Sequence, residues 1–372
     1  MNDLLTPIDP EFFIRIVFAV FAAAMVSFAA TPPVILLAKR VGAIDDPRRD
    51  SGRRMHKTPT PRLGGLAVFF AFAVTVWFFS AEITTELRGI LIGSVIIVAL
   101  GCVDDIVGLP YWLKLFFQLA AAFVAVFHNL IIKAFSNPLP FGPDLLNLGA
   151  FALPVTIIWI MALTNAVNFI DGLDGLACGI SVIGSVSLLV ISLVTNEGVV
   201  ALIMAALLGG CLGFLPFNFN PARIFIGDTG ATFLGFVLAC VSVQGLFKAY
   251  TLITFAAPFL ILGLPIIDIV VSVARRLISG KNPAHADKKH IHHRLIDLGF
   301  SQKQAVALLY AISAALGLTA VLLTTSGPLR AFIMLAAIAV ACAVYFVMLI
   351  LQARARKRHN AAGKGDGANG AD

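Results

Sequence analysis

Clusters of carboxylate, amide, imidazole and basic side chains interrupt a chain that is otherwise strongly hydrophobic. Asp104 and Asp105 end one apolar stretch, and Asp228 precedes another, between Gly227 and Gly230. Uncompensated carboxylates at such depths are costly, and they usually face a cavity, a cation or a partner. A carboxylate between glycines can present oxygen to Mg²⁺, which prefers few carboxylates together with water and phosphate oxygens. Solvated helix ends and a capped turn remain the structural alternatives.

Asp104 and Asp105 are neighbours, which limits how they can act together. Adjacent helical residues point about 100° apart, so the two carboxylates cannot share one face of a regular helix. Either they take separate roles, or the helix loosens before Gly108 and Pro110. Lys114 begins the next apolar stretch, where a lysine can extend to lipid headgroups or reach back toward a phosphate.

A third cluster repeats polar side chains every third residue, at Asn165, Asn168, Asp171 and Asp174. A helical turn would place Asn168 and Asp171 on one side, and the glycines at 172 and 175 would let backbone and ligand approach closely. An EF-hand calcium loop fits poorly, because the ligand spacing is wrong and no closing Glu is present. A polar helix seam is the alternative.

A fourth cluster combines His290, His292 and His293 with Arg294, directly after two lysines. No Cys accompanies them, and the His-Glu-x-x-His pattern of zinc proteases is absent. Arg binds phosphate through two hydrogen bonds and His donates without a full charge, so this loop favours a pyrophosphate over a metal. A solvated basic loop is the alternative, as it is for the proline-containing basic segment 53–65.

The composition requires a polytopic membrane protein. The chain is 59% hydrophobic and only 13% charged, and its mean hydropathy is +0.94; soluble domains are roughly a quarter charged. The apolar runs are long enough for helices that cross about 30 Å of hydrocarbon, and they lack the alternation of a barrel. We therefore predict an all-α fold with about eleven transmembrane helices, near 12–38, 63–80, 89–103, 113–133, 151–166, 176–195, 199–217, 232–247, 252–274, 305–325 and 331–351.

Most of the 27 Lys and Arg residues lie on one side of these spans, which predicts an N-terminus outside and a C-terminus in the cytoplasm. The first span is not a cleavable signal, because acidic residues precede it. We expect one integral-membrane domain over 1–351 and a basic, then disordered, tail over 352–372. All the polar clusters then fall in cytoplasmic loops, at 39–62, 104–112, 165–175, 218–231 and 275–304.

Two other protein classes are disfavoured. The net charge of +7 comes mainly from short juxtamembrane clusters that set topology and meet anionic lipid, so no nucleic-acid partner is expected. A cation-coupled transporter would place its polar groups near the membrane midplane between repeats, whereas these lie at helix ends. The five cysteines show no metal-binding spacing and are expected to pack as small residues.

Taken together, the clusters resemble those of the polyprenyl-phosphate N-acetylhexosamine-1-phosphate transferases, in glycosyltransferase family 4. The resemblance extends over about 53–299, with the motifs in the same order. The motifs that carry it are His56–Gly65, Asp104–Asp105, Asn168–Gly175, Gly227–Gly230 and His290–Leu295.

The resemblance implies a reaction. A sugar 1-phosphate would pass from a UDP-N-acetylhexosamine to undecaprenyl phosphate, releasing UMP and starting a glycan such as lipopolysaccharide or teichoic acid. The site would face the cytoplasm from the bacterial inner membrane. Ile291 interrupts the histidines, whereas the branch acting on UDP-muramyl-pentapeptide has three in a row, so N-acetylglucosamine is the expected sugar and the muramyl-pentapeptide the alternative. A homodimer is left open.

The resemblance also implies roles for individual residues. Asp228 and Asn168 would hold Mg²⁺, for which Mn²⁺ can substitute, and Lys114 would contact phosphate. Asp104 or Asp105 would accept a proton from the lipid phosphate or orient it, with a double displacement through an aspartyl intermediate as the alternative. The other substrate-binding residues would be Asp171 and Asp174 in the nucleotide pocket, the loop residues His290, His292, His293 and Arg294 over the sugar and diphosphate, and Lys57.

Overall fold

A computed structural model describes residues 9–46, 58–136, 145–246, 252–278 and 290–325, with a few single positions between 336 and 348. Within these residues the chain is almost entirely helical. The helices are α1 Pro10–Val41, α2 Gly65–Phe79, α3 Thr85–Val107, α4 Tyr111–Phe127, α5 Ala152–Ile170, α6 Leu176–Val194, α7 Gly198–Asn218, α8 Gly227–Val241, α9 Leu252–Ile261, α10 Gly263–Ile278, α11 Ile291–Asp297 and α12 Gln302–Thr325.

Helices α7 and α8 form the centre of the bundle, and nearly all their side chains are buried. Helix α7 packs against α1, α2 and α6, while α8 packs against α3 and α5. Close packing depends on small residues: a Cβ atom at Gly209 or Gly213 would overlap backbone oxygens of Val20 or Ala24 in α1. These glycines therefore serve contacts between helices of one chain, as small residues commonly do in membranes.

Short strands join some of the helices. Strand β1, Ile44–Asp45, pairs antiparallel with β2, Thr60–Pro61, and β3, Ala134–Ser136, pairs antiparallel with β4, Leu145–Asn147. After β2 the backbone continues beside the segment that leads into α8. The N–H groups of Gly64 and Gly65 donate to the carbonyls of Phe225 and Ile226. This pairing brings the segment between β2 and α2 to the start of α8.

The structure confirms an all-α membrane protein, and six helices among the described residues are long and apolar enough to cross a bilayer. These are α1, α3, α5, α6, α7 and α12; α2 and α4 are shorter apolar helices. The predicted span 331–351 lies mostly outside the described residues. The number of transmembrane helices and the sides of the two termini remain predictions.

The predicted span 252–274 is not one continuous helix. It divides at Leu262 into α9 and α10. Pro265 is the physical reason, because it lacks the N–H group that would bond the carbonyl of Ile261 in an uninterrupted helix. The short helix α11 was likewise not anticipated, because the sequence was interpreted there as a loop.

Candidate active site

Carboxylates and cations from separate parts of the chain meet where α3 ends and where α4 and α8 begin. Lys114 Nζ, in the first turn of α4, lies 2.5 Å from Asp104 Oδ2 and 2.9 Å from Asp228 Oδ2. Arg62, just before α2, places its guanidinium 3.3 Å from Asp105 Oδ1 and 3.6 Å from Asp228 Oδ1. Asp228 is therefore held between two cations.

Asp105 caps the N-terminus of α8. Its Oδ1 accepts from the backbone N–H of Asp228 at 3.1 Å, and its Oδ2 accepts from the N–H and hydroxyl of Thr229 at 3.0 and 2.7 Å. A carboxylate is favoured there because the first N–H groups of a helix have no partner within it. The side chain of Asp105 is fully buried. Its acceptor capacity is used in holding α8 against α3.

Asp104 points elsewhere. Its Oδ1 accepts from the backbone N–H of Leu109 at 2.7 Å, while its Oδ2 contacts Lys114. Helix α3 stays regular through Val107. The helix therefore does not loosen before Gly108, and the neighbouring carboxylates have separate surroundings, while their separate roles stay a prediction.

Glycines allow this close approach. Gly227 has φ +72°, a conformation that side chains disfavour, and a Cβ atom there would overlap Asp105 and the carbonyl of Arg62. A Cβ atom at Gly101, one turn before Asp105, would overlap the backbone of Thr229. The glycines flanking the acidic pair and Asp228 thus let α3, α8 and the Arg62 segment come into contact.

Asn168 and Asp171 lie at the end of α5. Burial, and then the carboxylates of Asp228 and Asp105, raise the pKa of Asp171 to about 8, against an opposing effect of Arg62. Asp171 therefore shares the electrostatic environment of the acidic site. The half-buried side chain of Asn168 makes no hydrogen bond to any described residue, so its amide oxygen is available to a ligand.

Asp174 is engaged in a structural contact. Its Oδ2 accepts from Asn220 Nδ2 at 2.8 Å and from the N–H of Ala222 at 3.1 Å, and Asn220 also donates to Gln302 Oε1 at 2.7 Å. The carboxylate thereby ties the connection between α5 and α6 to the connection between α7 and α8. Asp174 therefore supports the site by holding these two connections together.

Gln118 and Asn165 form a reciprocal amide pair between α4 and α5. Asn165 Nδ2 donates to Gln118 Oε1 at 2.7 Å, and Gln118 Nε2 donates to Asn165 Oδ1 at 3.3 Å. Gln118 lies one turn after Lys114, and Asn165 lies about one turn before Asn168. Because the pair fixes the two helices relative to each other, it positions both Lys114 and Asn168.

The histidine cluster is built on α11. His290 Nδ1 lies 2.8 Å from Asp268 Oδ2 in α10, and Asp268 Oδ1 accepts from the N–H of Ile291 at 2.8 Å. The His290 ring stacks with Phe169 and with His292, at 5.7 and 5.9 Å between ring centroids. Phe169 follows Asn168 directly, so the cluster lies beside the end of α5.

His292 is buried against Gly172, where a Cβ atom would overlap the imidazole. Neither ring nitrogen has a hydrogen-bond partner among the described residues. Burial, followed by the neighbouring His293, lowers the pKa of His292 to about 3. The ring is therefore neutral at physiological pH, and Gly172 leaves the space that it occupies.

Comparisons with known proteins indicate the family. Residues 87–246 match the family described as glycosyl transferase family 4. The "Probable undecaprenyl-phosphate N-acetylglucosaminyl 1-phosphate transferase" of Bacillus subtilis is 37% identical over 85% of this chain and 87% of the relative. The chain belongs to glycosyl transferase family 4.

Other relatives in glycosyl transferase family 4 differ in their substrates. A decaprenyl-phosphate N-acetylglucosaminephosphotransferase of Mycobacterium tuberculosis is 33% identical over 77% of each chain. A phospho-N-acetylmuramoyl-pentapeptide-transferase of Staphylococcus aureus is 30% identical over 80% of this chain and 95% of the relative. The predicted resemblance is therefore confirmed at the level of the family.

The structure brings together most of the residues that the sequence singled out in this glycosyl transferase family 4 member. Asp104, Asp105, Lys114 and Asp228 are in contact, and Asp171 lies within electrostatic reach. Asn168, His290, His292, His293 and Arg294 lie at the end of α5 and on α11, while Asp174 anchors the neighbouring connection. Lys57 lies outside the described residues. The functional roles of all these residues remain predictions.

Three residues with a part in the site were missed. Arg62 lies in the motif His56–Gly65, but it was given no role of its own, although it follows two prolines that shape its loop. Gln118 and Asp268 are isolated polar residues in apolar stretches. Such isolation is itself a signal, because a polar group inside a membrane protein needs a partner.

The donor set suits a hard divalent cation in this glycosyl transferase family 4 member. No group of three metal-binding His, Cys, Asp or Glu side chains is found among the described residues. Nevertheless, the carboxylates of Asp104, Asp105 and Asp228 outnumber Lys114 and Arg62, the two cations that face them among the described residues. Excess negative charge on oxygen ligands is what Mg²⁺ neutralises, so these residues fit a magnesium site.

Proposed function

We propose that this protein transfers N-acetylglucosamine 1-phosphate from UDP-N-acetylglucosamine to undecaprenyl phosphate. UMP leaves, and the sugar remains on the lipid through a pyrophosphate that starts a cell-envelope glycan. The observation that carries the proposal is the similarity over most of the chain to transferases whose names specify a polyprenyl phosphate and N-acetylglucosamine. The relative named for a muramyl-pentapeptide is less similar.

The proposed reaction is a phosphoryl transfer. An oxygen of the lipid phosphate forms a bond to the phosphorus next to the sugar, and the bond from that phosphorus to the bridging oxygen breaks. The electron pair leaves with UMP. Because both partners are anionic, charge neutralisation and in-line positioning supply most of the catalysis. A site that combines fixed cations with oxygen ligands at helix ends meets this need.

Lys114 and Arg62 provide the fixed cations. Each side chain is about one-third exposed, at 30% and 32%, although its partner carboxylates lie deeper. Both groups can therefore contact an incoming phosphate without leaving their carboxylates. We assign Lys114 to the reacting phosphates, because it already bridges Asp104 and Asp228.

Asp104 and Asp105 have different roles in this proposal. Asp105 holds the first turn of α8 and has no free oxygen for a substrate. Asp104 lies beside Lys114 and orients the lipid phosphate, or accepts its proton. A double displacement through an aspartyl intermediate would need a carboxylate that can leave its hydrogen bonds, which disfavours Asp105 as the nucleophile.

Asp228 and Asn168 are the proposed magnesium ligands, with Mn²⁺ as a substitute. The bound ion would neutralise the pyrophosphate oxygens and hold them in place. Asp228 contributes a partly exposed carboxylate, and Asn168 contributes an amide that makes no hydrogen bond to the described part of the chain. The chain's own part is to hold these ligands with α8 and α5, which pack against each other.

The remaining predicted residues surround the donor in this proposal. Asp171 and Asp174 would lie on the uridine side, with Asp174 acting through the loop it anchors. His290, His292, His293 and Arg294 would cover the sugar and diphosphate, and Lys57 would bind substrate from the segment after β1. The positive-inside pattern supports a cytoplasmic position for this surface, and the proposal assigns it to the bacterial inner membrane.

The test is a donor comparison with purified protein in detergent. Undecaprenyl phosphate and Mg²⁺ are combined with UDP-N-acetylglucosamine, UDP-N-acetylgalactosamine or UDP-muramyl-pentapeptide; UMP is quantified and the lipid is analysed by mass spectrometry. We expect UMP and a sugar-pyrophosphate lipid from UDP-N-acetylglucosamine. Product from only another donor would change the assigned substrate, and no product from any donor with folded protein would overturn the proposal.

Two variants sharpen this test. Asp228→Asn is expected to lose most activity and to need more Mg²⁺, because it removes a charged ligand. Glu197→Gln removes a carboxylate at the start of α7, at the opposite end of the helices, and should behave like wild type. An unchanged Mg²⁺ dependence in folded Asp228→Asn would show that the ligand is wrongly assigned.

A further inference from the structure

Asp268 is a carboxylate buried in an apolar helix, outside the motifs that define the site. It lies between two isoleucines in α10, and only 5% of its surface is exposed. A buried carboxylate is costly unless it is paired and hydrogen-bonded. Its two oxygens contact His290 Nδ1 and the N–H of Ile291, each at 2.8 Å. Both contacts are made to the first two residues of the histidine segment, residues 290–294.

This geometry determines the state of the His290 ring. A carboxylate oxygen at this distance accepts the hydrogen bond, which assigns the donating N–H to Nδ1. The other nitrogen, Nε2, makes no hydrogen bond to any described residue. Phe169 and His292 stack on the ring and restrict its rotation. Ser272 Oγ, the other group near Nδ1, is more distant at 3.5 Å.

We propose that Asp268 is the positioning residue of His290: it holds the N–H on Nδ1 and so orients Nε2 to accept a hydrogen bond from a hydroxyl group of the sugar nucleotide. The inference rests on the proposed function, because it takes the histidine segment to contact the donor. Asp268 itself touches no substrate. Its second hydrogen bond, to Ile291, fixes the start of α11, so one carboxylate sets both the ring and the helix that carries the other histidines.

A double-mutant cycle tests this role. Asp268→Asn, His290→Gln and the double variant are compared with wild type for kcat/KM with UDP-N-acetylglucosamine. Gln retains a hydrogen-bond acceptor near the Nε2 position but cannot bond Asp268. We expect Asp268→Asn to lower kcat/KM about 10- to 100-fold, the range for carboxylates that orient metal-bound histidines. In the His290→Gln background, the same change should alter kcat/KM less than about twofold, because the two act as one unit.

Asp297→Asn is the matched control, because Asp297 is an exposed carboxylate on the same short helix. It should retain wild-type kcat/KM. If Asp268→Asn does not fold in detergent, Asp268→Glu replaces it, since it keeps the charge and displaces the oxygens. The same loss and the same non-additivity are then expected.

The outcomes separate the two proposals. The positioning role alone would be overturned if wild-type protein is active and the losses in kcat/KM of the two single variants add in the double variant. It would also be overturned if wild-type protein is active and the Asp268 variant has the same kcat/KM as Asp297→Asn. No UMP from wild-type protein with any donor would overturn the proposed function and this inference with it. Wild-type activity with non-additive losses would support both.

Discussion

Asp105 accepts hydrogen bonds from both the backbone N–H and the hydroxyl of Thr229, 124 positions later in the chain. This contact fixes the start of α8, and with it Asp228, relative to the end of α3. Asp104, the preceding residue, faces Lys114 instead. One acidic pair therefore combines a structural carboxylate with one that borders the proposed reaction centre.

Asp105→Asn and Asp104→Asn should differ in stability. An amide at position 105 replaces one acceptor with a donor facing the N–H groups of α8, which should cost about 1–3 kcal/mol and lower the thermal midpoint. Asp104→Asn should lose activity about 100-fold or more with little change in midpoint. Thermal unfolding in detergent and UMP release measure the two effects. Equal midpoints for the variants would contradict the division of roles.

Lys114→Gln should reduce transfer strongly. The change leaves Asp104 and Asp228 without the ammonium that lies between them, and it removes a cation from the path of the phosphates. Loss of one preorganised donor commonly costs about 10²–10³ in turnover. Lys114→Arg should recover part of the activity, because it restores the charge with a different shape.

The control for Lys114 is Lys133→Gln, which removes an exposed lysine near the other end of α4. Steady-state UMP release at saturating and limiting donor gives kcat and kcat/KM for each variant. Similar values for Lys114→Gln and Lys133→Gln would assign Lys114 to lipid headgroups instead, the other interpretation that its sequence position allowed.

Gly101→Ala should disrupt the site through packing alone. The added methyl group would overlap the backbone of Thr229, and neither helix can move without disturbing the bonds to Asp105. Overpacking of this kind costs about 1–3 kcal/mol. Gly184→Ala is the matched control in α6, where the nearest atom would lie 3.6 Å away, and alanine should be tolerated there. Comparable thermal midpoints for the two variants would argue against tight contact between α3 and α8.

The sequence predicted the positions of the helices better than it predicted which helices pack together. Apolar runs locate α1 to α8 because burial in a membrane needs long hydrophobic segments. The polar residues that interrupt these runs locate the candidate site, because a polar group inside a membrane protein needs a partner. However, no local pattern shows that Lys114 lies between Asp104 and Asp228, because that contact depends on how α4 and α8 pack.

The missed features have physical causes. Arg62 resembles any basic residue near a membrane until the pairing of its segment with Phe225 and Ile226 brings it to α8. Asp268 lies in a continuous apolar run, so the run was interpreted as a single span. Pro265 accounts for the break at Leu262, but the contact between Asp268 and the start of α11 depends on tertiary packing, which the periodicity of the sequence does not encode.

His292 should make the protein less stable in acid. Its pKa is about 3 in the folded chain, below the ordinary value of 6.5, because its ring is buried. The unfolded chain therefore binds a proton that the folded chain excludes, and stability falls as the pH decreases below about 6.5. At pH 5 this effect should reach roughly 2 kcal/mol.

His292→Gln isolates this effect, because glutamine does not titrate. Asp171 acts with the opposite sign: its pKa of about 8 makes the folded chain bind a proton more tightly, so its contribution to stability decreases as the pH rises from about 4 to 8. That contribution is common to both proteins and cancels in the comparison. Thermal midpoints are measured from pH 7.5 to 5 without divalent ions. The wild-type midpoint should fall relative to the variant below pH 6.5, whereas parallel curves would show that His292 is protonated in the folded protein or is not buried.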